Sequence, residues 1–433
     1  MNIFYDSLLT LRGIKAYQNY LHSSDMAPEE EIRQKQSEWL GEILRHAHAN
    51  VPWYSARFRA YGVRVDSADP FAELKKLPVL TKAEVRENHA DFCIPGVAAK
   101  SMKFATSGTT GEPLVAYTSP DQWVIEQATI WRHWKRAGYK FRDRIAIFRS
   151  YAPKPGEPSI RIDRLKNWAY FSVFKMDDAS IAEYAKFLQV WQPRFLRGYP
   201  SSLLLVAQHA LRHGWRLPGL KAVFSASEVV PPQLRETLRE AFDIELFDHY
   251  GQAEITCMFH DCERHEGMHI DWEYGFVELL PSDEPGVNRI IATNLHNKAM
   301  PLLRYDTGDL AIGGWEQCSC GRTAPLLRTI RGRKDDFLLA EDGSRMATVN
   351  LYTYFSKIGS IQRFQLSQNK PGELIVNFVL WGGENERARS ALSDRIKSEL
   401  EQITGLYIRV VEPVEFIQSG EGKFPAFIQR IGR

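Results

Sequence analysis

SLLLVAQHALRHG (residues 202–214) and KAVFSAS (221–227) decide the fold class, because a helix-like segment leads directly into a short apolar strand. The same order repeats at once in PPQLRETLREAF (231–242) and ELFDHYG (245–251). Helices that alternate with short apolar strands favour a parallel or mixed sheet covered by helices. The sequence therefore predicts an α/β fold.

A change in composition near residue 330 predicts a second domain. The chain of 433 residues is long for a single domain. The charged segment RGRKDDF (331–337) precedes two strand-like runs, IQRFQLSQ (361–368) and ELIVNFVLW (373–381), and a helix-like stretch. We predict a large N-terminal domain of helix-covered sheets over residues 1–332 and a small α+β domain over residues 333–433.

The overall composition excludes several classes of protein. Hydrophobic residues make up 44% of the chain, and 55 Lys and Arg residues against 53 Asp and Glu residues give a formal net charge of +2. This balance predicts neither nucleic acid nor a membrane as a partner. The N-terminal residues lack the features of a secretory signal, and five cysteines do not make a disulfide framework. We expect a cytoplasmic protein.

A run of small residues, FATSGTTGEP (104–113), offers hydroxyl groups and closely approaching backbone N–H groups that suit a polyphosphate. The run lacks the GK[ST] ending of a Walker A loop. By itself it is as typical of an ordinary turn as of a phosphate-binding loop.

Four later segments place polar groups after strands or in glycine-flanked loops: HYGQAEIT (249–256), LLRYDTGDL (302–310), IRGRKDDF (330–337) and SGEGKFPAF (419–427). Taken together with FATSGTTGEP, and in this order, they resemble the adenylate-forming superfamily of acyl-CoA synthetases, adenylation domains and luciferases. The resemblance extends from about residue 30 to Lys423.

Within that superfamily the chain is similar to the phenylacetate–CoA ligase branch and its relatives in capsular polysaccharide biosynthesis. ILRHAHANVPWYS (43–55), RGYPSSL (197–203) and SASEVVPP (225–232) carry this similarity. It implies an enzyme that uses ATP and Mg²⁺ to make an acyl-adenylate and then passes the acyl group to coenzyme A. Two alternatives stay open: transfer to an amine, hydroxyl or carrier-protein acceptor, and a catalytically silent nucleotide-binding homologue.

The resemblance also implies roles for individual residues. The phosphates of ATP would be held by Thr106, Ser107, Gly108, Thr109, Thr110 and Gly111. Glu112 stands where a basic residue is usual, and an acid there does not attract phosphate. Glu254 would hold Mg²⁺, Asp309 would accept hydrogen bonds from the ribose, and Arg333 would add a ribose or phosphate contact. Asp248, Tyr250 and Gly251 would line the adenine slot, with Glu228 and Ala226 beside it. Ser227, His249 and Gln252 would also belong to the nucleotide site.

Lys423 would stabilise the negative charge that builds up as pyrophosphate leaves, and Asp335 would be the hinge of a mobile C-terminal domain. Candidate residues for the acyl pocket are Trp131, Trp134, Tyr151, Tyr199 and Ala226. Aromatic walls favour an aryl or arylacetyl acid, but aromatic residues at helical spacing are equally typical of a core. A homodimer is an expectation from analogy with the branch.

Cysteine and histidine cluster in HDCERHEGMHI (260–270) and EQCSCGR (316–322). A tetrahedral set for a structural Zn²⁺ would be Cys262, His269, Cys318 and Cys320. Rival ligands are His260, His265 and Cys257, and the alternative is a scatter of core cysteines and surface histidines.

Overall fold

A computed structural model describes most of the chain, with gaps at several loops. The described residues are 3–18, 24–98, 101–105, 114–149, 151, 153, 156–174, 176–231, 233–333, 337–343, 345–347, 351, 354–355, 358–380, 386–411, 416–417 and 425–431.

The α-helices of the described residues are α1 (Ile3–Ala16), α2 (Glu29–Asn50), α3 (Pro52–Ala60), α4 (Pro70–Lys75), α5 (Lys82–Glu87), α6 (His89–Phe92), α7 (Pro95–Ala98), α8 (Pro120–Arg136), α9 (Asp178–Trp191), α10 (Pro200–His213), α11 (Leu234–Phe242) and α12 (Glu386–Thr404). A 3₁₀ helix covers Ser24–Met26.

The strands are β1 (Met102–Ala105), β2 (Val115–Thr118), β3 (Ile145–Phe148), β4 (Ile160–Asp163), β5 (Trp168–Phe171), β6 (Phe195–Gly198), β7 (Ala222–Ala226), β8 (Glu245–Gly251), β9 (Met258–Asp261), β10 (Met268–Ile270), β11 (Gly275–Pro281), β12 (Val287–Asn294), β13 (Tyr305–Ile312), β14 (Leu326–Leu327), β15 (Thr329–Arg333), β16 (Phe337–Leu339), β17 (Arg345–Ala347), β18 (Ile361–Gln368), β19 (Glu373–Leu380), β20 (Tyr407–Val411) and β21 (Phe427–Gln429).

The predicted alternation of helices and strands is confirmed, and local sequence explains the ends of the helices. The α10 helix begins at Pro200, whose missing N–H is not needed in the first turn. It ends at Gly214, which takes the left-handed φ of 67° that glycine adopts without strain. At the start of α9, the Asp177 carboxylate accepts a hydrogen bond from the Ser180 N–H at 2.8 Å.

The described residues divide into two compact units. The first unit draws on Met1–Gly108, Pro113–Tyr139 and His249–Arg333, and the second on Lys140–Asp248 and Lys334–Arg433. One boundary thus falls after Arg333, next to the predicted start of the C-terminal domain. The predicted division into residues 1–332 and 333–433 stays a prediction.

The second unit contains the α/β layer that the opening segments predict. Strands β3, β5, β6 and β7 pair in parallel, in the order β7-β6-β3-β5, and β4 adds an antiparallel edge. Helices α9, α10 and α11 pack on these strands through a core in which Phe148, Phe171 and Tyr184 are buried. Residues from Leu338 onward form a separate core around β18–β20 and α12.

The first unit contains helices α1–α8, and its described strands pair in antiparallel fashion. The end of β8 pairs with β9, β9 pairs with β10, and β10 pairs with β14. A second sheet has the order β11-β12-β13-β15. No helix among the described residues has the length and apolar character of a membrane span.

Candidate nucleotide and metal sites

Several predicted site residues lie outside the described part of the chain. These are the phosphate-loop residues Thr106, Ser107, Gly108, Thr109, Thr110 and Gly111, with Glu112, Asp335 and Lys423. Arg333 is described by its backbone, which pairs with Asp309 between β15 and β13. The assigned roles of these residues stay predictions.

Glu254, the predicted Mg²⁺ ligand, is a buried carboxylate held by two partners in the first unit. The Tyr305 hydroxyl donates to Glu254 Oε1 at 2.8 Å, and Lys82 Nζ lies 3.1 Å from the same oxygen. Burial raises the pKa of Tyr305 well above its ordinary value, and the neighbouring Glu254 charge adds to that rise. The tyrosine therefore remains a hydrogen-bond donor to the carboxylate.

The backbone after Glu254 takes an unusual conformation. Ile255 has φ of 55°, in the left-handed region that β-branched residues rarely adopt. Asn294 is buried, and its Nδ2 donates to the Ile255 carbonyl at 2.5 Å while its Oδ1 accepts from the Leu302 N–H at 2.7 Å. The Asn294 side-chain amide thus stabilises the backbone turn at Ile255, directly after Glu254.

Asp309, the predicted ribose acceptor, is held on β13 by a tyrosine of the HYGQAEIT segment. The Tyr250 hydroxyl donates to Asp309 Oδ2 at 2.5 Å. Burial raises the pKa of Tyr250 well above its ordinary value, and the Asp309 charge raises it further. Strand β13 therefore carries Tyr305, which holds Glu254, and Asp309, which is held by Tyr250.

The predicted nucleotide-binding residues of the second unit lie in, or directly after, the strands β7 and β8. Ser225 donates to the buried Asp248 at 2.5 Å, and Ala226 is the last residue of β7. Ser227 has φ of 74°, so the chain turns sharply here. Glu228 Oε2 accepts from the Ser201 N–H at 3.0 Å, near the start of α10.

The predicted residues at the end of β8 lie in the first unit. His249 is buried and its ring lies edge-on to His133, with ring centroids 5.8 Å apart. Gln252 donates to Thr256 within the turn and lies 3.5 Å from the Cys257 sulfur. Gly251 is exposed, so its backbone faces open space.

The predicted acyl-pocket aromatics are all buried. In the first unit, Trp134 packs edge-on against Tyr139 at 5.3 Å, and a Cβ at Gly13 of α1 would lie 3.3 Å from the Trp131 ring. In the second unit, Tyr151 donates to the Pro158 carbonyl at 2.8 Å. The Arg149 guanidinium lies 5.5 Å from the ring centroid of Tyr199, and Ala226 is also buried. Their role in substrate binding stays a prediction.

The cysteine and histidine segments meet in the first unit. The ligand atoms of Cys262, His269, Cys318 and Cys320 all lie within 4.8 Å of one another. Cys262 Sγ is 3.7 Å from Cys318 Sγ, and Cys320 Sγ is 3.4 Å from His269 Nε2. We call these four residues the Cys₃His cluster.

The protonation of His269 suits metal binding. Its Nδ1 lies 2.7 Å from the Ala324 carbonyl, and a carbonyl only accepts, so the proton is on Nδ1. Burial lowers the pKa of His269, which keeps the ring neutral and leaves the Nε2 lone pair directed at Cys320. Burial alone would raise the pKa of Cys320, but hydrogen bonds from Arg322 bring it below its ordinary value.

The rival ligands face other partners. His260 Nδ1 lies 2.5 Å from an oxygen of Asp271, and His265 Nδ1 lies 2.9 Å from Asp261. Burial raises the pKa of Cys257, which keeps it a neutral thiol beside Gln252.

A second group, Asp178, His209 and His213 in the second unit, also brings three possible ligand atoms within 4.8 Å. Here the Trp215 indole N–H donates to His209 Nδ1 at 2.9 Å. The neutral His209 ring therefore carries its proton on Nε2, the atom that points at Asp178, and offers no lone pair there. This group does not suit a metal ion.

Buried charges connect α8 with the Cys₃His cluster. Arg132 donates to Asp271 at 2.6 Å and also pairs with Glu273. One turn later, Arg136 pairs with Asp25, which also accepts from Arg322 Nε at 2.8 Å. Arg322 follows Cys320 by two residues, so α8 and the cluster share one charge network.

Sequence reasoning missed three residues around Glu254, namely Lys82, Tyr305 and Asn294. Tyr305 lies in the same LLRYDTGDL segment as Asp309, and this position in a predicted site motif could have identified it as a site residue. Lys82 and Asn294 have no local signal, because TKAEVRE predicts only a helix start and IIATN only a strand.

No protein-family model matches the chain. A phenylacetate–coenzyme A ligase of Thermus thermophilus is 26% identical over 352 residues, which cover 74% of each protein. The ligase of the same name from Escherichia coli K12 is 27% identical and covers 81% of this chain and 82% of its own length. Protein CapK of Staphylococcus aureus is 24% identical, with coverages of 82% and 80%.

Among solved structures, 2-hydroxyisobutyryl-CoA ligase in its postadenylation state, in complex with R3-HIB-AMP, superposes with a TM-score of 0.68. The match covers 93% of this chain and 90% of the ligase at 18% identity, so it concerns the fold. The predicted resemblance is thereby confirmed: this chain has the fold of the adenylate-forming CoA ligases, and its sequence is similar to the phenylacetate–coenzyme A ligases and CapK.

Proposed function

We propose that this chain is an AMP-forming acid–thiol ligase. The acid's carboxylate oxygen attacks the α-phosphate of ATP, the bond to the β-phosphate breaks, and pyrophosphate leaves. The sulfur of coenzyme A then attacks the acyl carbon, AMP leaves, and the thiol proton passes to solvent. The observation that carries this proposal is strand β13, which anchors Glu254 through Tyr305 and presents Asp309 four residues later.

The nucleotide would be bound by side chains that the structure already orients. Asp309 is held in place by the Tyr250 hydroxyl, and a carboxylate is the type of group that accepts hydrogen bonds from ribose hydroxyls. Glu254 is a buried carboxylate, the ligand type that Mg²⁺ prefers, and the ion would neutralise phosphate charge. The backbone of Arg333 lies on strand β15, where it pairs with Asp309 of the neighbouring strand β13.

The acid is proposed to be aryl or arylacetyl. The named relatives at 26–28% identity are phenylacetate–coenzyme A ligases, and several candidate pocket residues of this chain are aromatic. The C-terminal residues 333–433 would move about Asp335 and bring Lys423 to the reacting groups, a role supported by the separate core around β18–β20 and α12. The cytoplasmic location and the homodimer stay predictions.

A pyrophosphate-release screen tests the function. We expect release that depends on both ATP and an acid, with arylacetic and aryl acids faster than short aliphatic acids. Adding coenzyme A should yield the acyl-thioester, and amines, hydroxyl compounds and a carrier protein serve as competing acceptors. If the folded protein releases no pyrophosphate with any acid, the proposal is refuted, and the chain would be a catalytically silent homologue.

We also propose that the Cys₃His cluster holds a structural Zn²⁺. Three thiols and a neutral imidazole are the donor set that zinc selects, and four protein ligands leave no open position for catalysis. Two further features support it. The Arg264 N–H donates to Cys262 Sγ at 3.4 Å, and Ala324 orients His269.

Metal analysis of the purified protein tests this site. We expect about one Zn²⁺ per chain, and loss of most of it in Cys318→Ser, because three ligands hold zinc less tightly than four. Cys93→Ser, which changes a cysteine outside the cluster, should retain the metal. Zinc-free wild-type protein, or equal zinc in both variants, would rule the assignment out.

A further inference from the structure

Lys82 brings a positive charge to the predicted metal carboxylate. Its ammonium lies 3.1 Å from Glu254 Oε1, and the two side chains are 29% and 5% exposed. Glu254 therefore has a cationic partner within the protein.

The position of Lys82 is fixed by backbone bonds to the strand that also holds Glu254. Leu80 bridges Tyr305 in parallel, the Leu80 N–H donates to Arg304 at 2.9 Å, and the Asp306 N–H donates to Leu80 at 2.8 Å. Thr81 and Glu84 then form a capping box that starts α5 with Lys82 as its first residue. Lys82 is thus a built part of the Glu254 surroundings.

The two partners of Glu254 occupy the same oxygen. Tyr305 and Lys82 both bind Oε1, and within the described ranges no hydrogen bond reaches Oε2. A divalent cation on Oε2 would share the carboxylate with the ammonium. Two cations on one carboxylate repel each other, strongly so where the carboxylate is buried.

Resting on the proposed metal role of Glu254, we propose that Lys82 weakens divalent-cation binding at this carboxylate and so makes it depend on the nucleotide. Without nucleotide, the charge of the Glu254 carboxylate is neutralised by Lys82, so the carboxylate binds a divalent ion weakly. Phosphate groups supply the missing negative charge, so the ion arrives with ATP and leaves with pyrophosphate. This agrees with the tendency of Mg²⁺ to bind through one or two carboxylates plus substrate phosphates.

Binding of Mn²⁺, followed by the electron paramagnetic resonance signal of the free ion, tests the proposal without turnover. Titrations are run with and without AMPCPP, which cannot form an adenylate. Without nucleotide, Lys82→Met should bind Mn²⁺ about tenfold more tightly than wild type, because a repelling charge is removed. AMPCPP should tighten Mn²⁺ binding less in Lys82→Met than in wild type. Lys82→Arg keeps the charge and should match wild type.

Lys76→Met is the matched control. Lys76 Nζ pairs with the buried Glu73 at 2.6 Å in the same unit, and it lies outside the proposed site. Its removal should leave Mn²⁺ binding unchanged, so a general effect of losing a lysine is separated from an effect at Glu254. Thermal unfolding of each variant verifies that it is folded.

Glu254→Gln distinguishes the two proposals. If it abolishes the Mn²⁺ site while Lys82→Met binds Mn²⁺ as wild type does or more weakly, the inference about Lys82 is wrong and the metal role of Glu254 stands. If Glu254→Gln binds Mn²⁺ with AMPCPP as tightly as wild type, the metal role of Glu254 fails, and the inference about Lys82 fails with it.

Discussion

Lys423→Ala is expected to slow acid-dependent pyrophosphate release by about 10²–10³-fold, the usual loss when one group that stabilises transition-state charge is removed. The negative charge on the departing pyrophosphate develops only in the transition state. The variant should therefore bind ATP with an affinity within about twofold of wild type. Pyrophosphate release and equilibrium binding of ATP measure the two quantities separately.

The second half-reaction gives an internal control for Lys423. A synthetic acyl-adenylate with coenzyme A bypasses pyrophosphate departure, and thioester formation from it should be largely unchanged in Lys423→Ala. Lys370→Ala removes an exposed lysine that pairs with Glu373 at 3.6 Å on the same C-terminal segment, and it should keep both activities. Normal adenylation by Lys423→Ala would show that the motif has been misassigned.

Arg132→Met is expected to lower the free energy of unfolding by about 3–5 kcal/mol at neutral pH, the typical cost of removing one partner of a buried ion pair. The Arg132 side chain is 3% exposed and pairs with Asp271 and Glu273, which are both fully buried. Without the guanidinium, two carboxylates lie in the interior with no adequate counter-charge. Chemical denaturation at fixed pH measures the loss.

The pH dependence of the Arg132→Met variant has a definite sign. Burial already raises the pKa of Asp271 to about 8, although the Arg132 charge lowers it. Losing the cation should raise this pKa further, so near neutral pH the folded variant binds more protons than the unfolded chain. The stability of the variant should then fall as pH rises, and its deficit relative to wild type should be larger above pH 8, where wild-type Asp271 is ionised, than at pH 6.

Arg239→Met is the matched control for this effect. Arg239 binds Glu245 through two hydrogen bonds of 3.0 and 3.1 Å, but both side chains are about half exposed. Its loss should cost below about 1 kcal/mol, as for other exposed ion pairs. Equal losses in the two variants would contradict the importance assigned to the buried network.

The elements with strong local patterns could be predicted from the sequence. The spacing of apolar residues, Pro200 at the first helical position and Gly214 at the C-cap specify α10, and β7 and β8 follow as predicted. The short strands β9, β10 and β14 were not predicted. Polar residues of these strands are buried against partners remote in sequence, as in the pairing of Asp261 of β9 with His133 of α8.

The candidate site divides in the same way. Glu254 and Asp309 are found from their motifs, whereas Lys82 reaches Glu254 through a backbone bridge to β13 that local sequence does not encode. Helical spacing does not decide whether Trp131 and Trp134 line a substrate pocket or the hydrophobic core. It shows that the two residues share a helix face, but not which part of the protein packs against that face. The Cys₃His cluster was predictable since its members lie in two short segments. His269 and His260 are paired across β10 and β9, and only their side-chain partners distinguish them, Cys320 for His269 and Asp271 for His260.

A metal ion in the Cys₃His cluster would also lower the conformational entropy of the unfolded chain. Cys262 and Cys318 are 56 residues apart, and the chain between them contains β11–β13 with Asp309. A metal ion joining them would act as a cross-link that closes this segment into a ring. For a ring of this size, the lost freedom of the unfolded chain corresponds to about 4 kcal/mol. Asp309, the predicted ribose acceptor, would then lie inside a loop whose two ends are joined by the metal ion, and the stability of that loop would depend on the availability of zinc.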